Sequence, residues 1–147
     1  MNFMFSSALV FNQDIGNWDT SKVTVMKAMF RFADAFNQDI GSWDVSNVMG
    51  MGDIFDGASS FSQDISGWDI SSAKNFFGMF VSASAFDQDL SDWDMSAAED
   101  IRFMFARTSY NQDLTGWNVR SATKMGYMFM DNAAFDQDIR NWNVDST

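Results

Sequence analysis

A chain of 147 residues with 20 acidic and 9 basic side chains, net charge −11, repels phosphate backbones and anionic lipid surfaces, which argues against a nucleic-acid partner. The lack of His and Cys removes imidazole bases, thiol nucleophiles, disulfides and the usual zinc ligands. A hydrophobic fraction of 46% is ample for a core, yet no apolar run reaches the about 18 residues that a transmembrane segment needs.

The chain opens on MNFMFSSALVF, which is apolar but has no basic stretch ahead of it. Its Met1, Met4 and Phe5 recur in later segments, so it reads as structure and not as a signal peptide. FNQDIGNWD follows at residues 11–19 and returns as FNQDIGSWD, FSQDISGWD, FDQDLSDWD, YNQDLTGWN and FDQDIRNWN. The tryptophans that mark these copies, Trp18, Trp43, Trp68, Trp93, Trp117 and Trp142, are spaced 25, 25, 25, 24 and 25 apart. Phe5, Phe30, Phe55, Phe80, Phe105 and Phe129 keep the same step, each preceded by Met or Ile. The missing residue falls in the loop Ala106–Ser109, where the next ring, Tyr110, follows five positions after Phe105 instead of six.

Within each repeat two patterns alternate. Phe11, Gln13 and Ile15 occupy every second position, and Gly recurs at 16, 41, 67 and 116, which predicts a short strand pairing in parallel with its copies. The spacing of Phe11, Ile15 and Trp18 also fits a helical turn, the competing reading. After Trp18, the apolar residues Val23, Met26, Met29 and Phe30 form a stripe that predicts a helix of two to three turns. Val48, Met51, Ile54 and Phe55 repeat it, as do Ala98, Ile101, Met104 and Phe105. Ser21, Ser46, Ser71 and Ser96 stand where helix N-caps belong, and Ser96 with Glu99 matches a capping box. The chain has no Pro, as an array of strands and helices requires. These elements predict one α/β solenoid over residues 1–147, leucine-rich-repeat-like, with five to six coils of strand plus helix.

Stacked coils place equivalent residues in columns. The Trp and Phe columns are expected in the core, the alternative being an exposed aromatic ladder that binds sugar rings. Gln13, Gln38, Gln63, Gln88, Gln112 and Gln137 are expected to form an amide ladder. Asp14, Asp39, Asp64, Asp89, Asp113 and Asp138 form a column of like charges that needs an offset. Each carboxylate is expected to cap backbone N–H groups in its own turn; the alternative is calcium between coils, with Asp19, Asp44, Asp69 and Asp94 adding ligands. Carboxylates repeated in every coil are scaffold and not a unique acid–base pair, so no enzyme is expected and no cofactor is implied.

The pattern F-N-x-D-I-x-x-W-D-x-S-x-V-x-x-M-x-x-M-F, complete at Phe11–Phe30 and, with Ile54 in place of the last Met, at Phe36–Phe55, resembles the surface-protein repeat of mycoplasma-type lipoproteins, often grouped with BspA-like leucine-rich repeats. It weakens toward the C-terminus, where Asn118 and Asn143 replace Asp and Arg120 and Asp145 replace Ser. The resemblance implies an extracellular or cell-surface array, non-catalytic, used for adhesion, assembly or protein contact. Recognition is expected where repeats differ, at Arg31–Asp34, Asp56–Ser59 and Arg102–Thr108. Neither end carries a polar cap, which suits a piece of a longer array or copies stacking head to tail.

Overall fold

The structure is a computed structural model and describes residues 1–144. Asp145, one of the residues departing from the repeat pattern, lies outside them. The repeats form successive layers, 1–25, 26–50, 51–75, 76–100, 101–124 and 125–144, held in register by hydrogen bonds between equivalent positions. The layers are built from tight turns. Among the described residues there is no helix, and pairing of the strand kind is confined to single parallel bridges linking Val25, Gly50, Asn75, Asp100 and Lys124 in succession. The α/β leucine-rich-repeat solenoid expected from the sequence is therefore not the fold.

The reason lies in where the backbone N–H groups go. In 26–33, the N–H groups of Met29, Arg31 and Ala33 donate to the carbonyls of Met26, Ala28 and Phe30, at 3.2, 3.3 and 3.0 Å. Those of Met26, Ala28, Phe30 and Phe32 instead donate to Gly50, at the end of the layer, and to Gly52, Ile54 and Asp56 of the next, at 2.7–2.9 Å. An α-helix would direct all of them to carbonyls four residues back in its own segment. Backbone handedness forbids that: Ala28 (φ 54°) and Phe32 (φ 56°) are both left-handed. The same pair of positions is left-handed in every layer, as Phe3 and Ser7, Asp53 and Gly57, Gly78 and Ser82, Phe103 and Arg107, and Tyr127 and Asp131. Only Gly57 and Gly78 advertise this in the sequence. Met26, Met29 and Phe30 do point inward and are fully buried, but on consecutive three-residue turns and not on a helical face.

The predicted strand is also replaced by a turn. The Trp18 N–H donates to the Ile15 carbonyl at 3.1 Å, and the same bond recurs from Trp43 to Ile40 and from Trp68 to Ile65. The parallel bridges lie instead at the entry to the segment expected to be helical. Ser21, Ser46 and Ser71 cap no helix. Each donates its hydroxyl to the aspartate two residues before it, at 2.6, 2.6 and 2.7 Å. Glu99 closes no capping box and pairs with Lys74 at 2.8 Å.

The core consists of aromatic columns. In one layer Phe30 lies 3.8 Å from Phe36, and Phe55 lies 4.0 Å from Phe61 in the next. Phe30 and Phe55 then stack across layers at 5.8 Å. In the shortened loop, Thr108 makes good the missing backbone: its hydroxyl donates to the Phe105 carbonyl at 2.7 Å and accepts the Tyr110 N–H at 3.3 Å. Elsewhere Ala33, Ala58 and Ala83 make the corresponding pair of bonds with main-chain atoms.

Candidate functional site

The recurring polar residues are occupied with their own scaffold. Asp14, Asp39, Asp64, Asp89, Asp113 and Asp138 each accept the backbone N–H two residues on, at 2.8–3.1 Å. All six are exposed. Asp19, Asp44, Asp69 and Asp94 take the N–H of the serine two residues on, at 3.0–3.1 Å. Bonds from the serine hydroxyl, then from its N–H, hold Asp19 and Asp69 below the ordinary carboxylate range. At Asp64 and Asp89 the backbone N–H leads in the same direction. Among the described residues no three acidic side chains converge on a metal-sized site.

The amide ladder runs through a residue that sequence reading passed over. Gln38, Gln63 and Gln137 do not bond to one another. Each donates its amide to both the backbone and side-chain oxygens of an asparagine one layer back, namely Asn12, Asn37 and Asn111, at 3.0–3.1 Å. Gln88 and Gln112 follow Ser62 and Asp87 in that column, and Gln13 belongs to the first layer. The signal was present in the sequence, since the position before each Gln is Asn, Ser or Asp in every repeat.

Trp43, Trp68, Trp93, Trp117 and Trp142 are buried, and each indole N–H donates to a carbonyl of the layer before, at 2.9–3.2 Å. Trp18, in the first layer, is 39% exposed. The column is therefore interior and offers no outward ring ladder. A cavity of about 550 Å³ bounded by Met125, Phe129, Ile139 and Trp142 continues the same core columns in the layer 125–144 and is not a separate site.

What remains for recognition is the lateral edge formed by 26–33 and its equivalents, where side chains differ between layers. Arg31 reaches Asp56 of the next layer at 2.7 Å and lies over the Phe32 ring at 4.6 Å. Arg102 forks onto Asp100 with bonds of 2.9 and 2.7 Å and lies 5.1 Å from the centre of the Phe77 ring. Burial pushes the Asp100 carboxyl up, but the Arg102 hydrogen bonds and the charges of Arg102 and Lys124 carry it below the ordinary value. Phe103 meets Phe77 edge-on at 5.6 Å and stacks on Tyr127 at 5.1 Å, leaving Tyr127 67% exposed. Arg31, Asp56, Arg102 and Phe103 fall in the variable stretches read from the sequence. Asp53, Phe77, Asp100 and Tyr127 do not, although Asp53 and Tyr127 share the column of Phe103, and Phe77 that of Arg102.

These features define a class: a non-helical stack of 25-residue turn-built layers, with internal aromatic columns and a variable outer edge. Residues 1–109 and 102–147 both match the family described as "Mycoplasma protein of unknown function, DUF285", and the chain belongs to that family. No curated protein and no solved structure matches the chain.

Proposed function

We propose that this chain is a non-catalytic, surface-exposed module that uses its lateral edge for protein contact or adhesion. The observation that carries the reading is a division of labour along the repeat. Polar residues that recur are bonded to the scaffold, whereas the edge residues change from layer to layer. Buried columns and interlayer N–H bonds supply a rigid frame, and Arg31, Phe32, Phe103 and Tyr127 are displayed on it. Arginine and aromatic side chains are the types enriched in protein interfaces. A location at the cell surface follows from the sequence resemblance and belongs to the same proposal. So does kinship with BspA-like repeats, which would be a kinship of sequence only, since these layers contain no helix.

A triple variant, Phe32→Ser with Phe103→Ser and Tyr127→Ser, tests the reading. It should stay folded and lose cross-links to other proteins when intact cells displaying it are treated with a cross-linker. An unchanged set of cross-linked partners would sink the proposal.

A further inference from the structure

A cleft of about 260 Å³ opens at Gly52 in the middle of the lateral edge, lined also by Lys27, Asp53, Asn75, Phe77, Asp100 and Arg102. Gly52 stands in the column of Lys27, Phe77 and Arg102; a Cβ there would lie 3.0 Å from the Asn75 side-chain oxygen. Gly78 stands in the column of Asp53 and Phe103; a Cβ there would lie 2.7 Å from Asp53 Oδ1. The repeat therefore leaves out two side chains where two polar groups need the space.

The scaffold uses Asn75 only in part and the Asp53 carboxylate not at all among the described residues. Asp53 is half-buried, and no described residue hydrogen-bonds its carboxylate. Burial raises its pKa, while the charge of Lys27 works against that rise. The Asn75 oxygen accepts the Phe77 N–H at 3.0 Å, which leaves its amide N–H pair without a protein acceptor. Lys27 is exposed and forms no ion pair among the described residues. Asp100 is already held by Arg102.

Formal charge in the cleft cancels, with Lys27 and Arg102 against Asp53 and Asp100. A net charge on a ligand would gain nothing from that balance. A neutral ring bearing vicinal hydroxyls matches it, because each hydroxyl can donate to Asp53 and accept from Asn75 or Lys27. The volume lies just below the roughly 300–1,000 Å³ typical of small-molecule sites, which suits one ring and not a chain of them. Phe77 supplies an apolar wall for ring C–H groups. We propose that this cleft, between the layers of Lys27 and Arg102, binds a single neutral hexopyranose unit. The cleft lies within the edge proposed for protein contact, but sugar binding there does not depend on that reading.

Saturation-transfer NMR on the whole chain with the methyl glycosides of glucose, galactose and mannose tests the site. At least one should bind saturably, and Asp53→Asn and Lys27→Met should each weaken it tenfold or more. Lys27→Met alters an exposed side chain and keeps the test decisive if Asp53→Asn fails to fold. Asp14→Asn, on a carboxylate outside the cleft, should leave binding unchanged. No saturable binding by any of the three, equal binding by the cleft variants, or binding of free lysine or glucuronate in place of the neutral sugars would overturn the proposal. None of these outcomes touches the cross-linking test of the lateral edge.

Discussion

The indole N–H of Trp68 donates to the carbonyl of Ile40 at 3.1 Å, one layer back. The same carbonyl accepts the Trp43 N–H at 3.1 Å, so one oxygen closes the turn of its own layer and ties down the ring of the next. The carbonyls of Ile15, Ile65, Leu90 and Leu114 are shared in the same way. Removing this ring therefore opens a cavity and leaves part of a buried carbonyl unused. Trp68→Ala should cost about 3–5 kcal/mol. Trp18→Ala, at a ring 39% exposed and without an indole partner in an earlier layer, should cost clearly less. Urea denaturation midpoints compare the two, and equal losses would contradict this account of the column.

Tyr110 fills the ring position that is Phe in every other layer, and its hydroxyl is buried with no hydrogen-bond partner among the described residues. Burial, with the charges of Asp89 and Asp87, pushes its ionisation well above the ordinary phenol value. The Leu90 backbone acts in the opposite sense but does not reach hydrogen-bonding geometry. Tyr110→Phe keeps the ring, stacked 4.0 Å from Phe105, and removes the unsatisfied oxygen. It should stabilise the protein by about 1 kcal/mol, toward the lower end of the penalty for an unpaired buried hydroxyl. A lower melting temperature for Tyr110→Phe would show that the oxygen has a partner.

The left-handed positions give a pair of opposite substitutions. Ser82 sits at φ 55° and Gly78 at φ 61°. A left-handed L-residue costs roughly 1–2 kcal/mol, and a new glycine gives back about 0.4–1 kcal/mol through the unfolded chain. Ser82→Gly should then gain about 0.5–1 kcal/mol. Gly78→Ala should lose stability, since it adds that strain and drives a Cβ to 2.7 Å from Asp53 Oδ1. Thermal melts of both variants check the signs together.

Acid should weaken the fold. Asp19, Asp64, Asp69, Asp89, Asp94, Asp113 and Asp138 all ionise below the ordinary value of 3.8, because their own loops hydrogen-bond the charged form. A carboxylate with a lowered folded pKa contributes stability above its unfolded pKa and loses it as pH falls through the folded one. Asp53 works the other way: its raised pKa costs stability as pH climbs past 3.8, and acid relieves it. With Asp100, also held low by Arg102, eight groups oppose one, so the melting temperature should fall as pH drops below about 4, and Asp69→Asn should shrink that fall. A melting temperature that holds or rises down to about pH 3 would mean that the caps contribute nothing.

The sequence alone determined the period and the columns. A residue pattern repeated every 25 positions makes each layer the template of the next, and rings such as Phe30, Phe55 and Phe80 are apolar enough to seek the interior in any arrangement. It also marked the loop Ala106–Ser109 as the place where a residue is missing, though not that the Thr108 hydroxyl would replace it. Tertiary structure decided the conformation within a layer. The spacing of Val23, Met26, Met29 and Phe30 suits both a helix and a run of three-residue turns, because both bring every third or fourth residue to one side. What separates them is the destination of alternate N–H groups, and for Ala28 and Phe32 that is the carbonyls of Gly52 and Asp56 in the next layer. Those bonds repeat from layer to layer and outweigh the cost of left-handed backbone at Ala28 and Phe32, two residues that give no local sign of it. The cleft at Asp53 was hidden for the same reason: Lys27, Asp53, Phe77 and Arg102 come from four different repeats and line one cleft only when the layers stack.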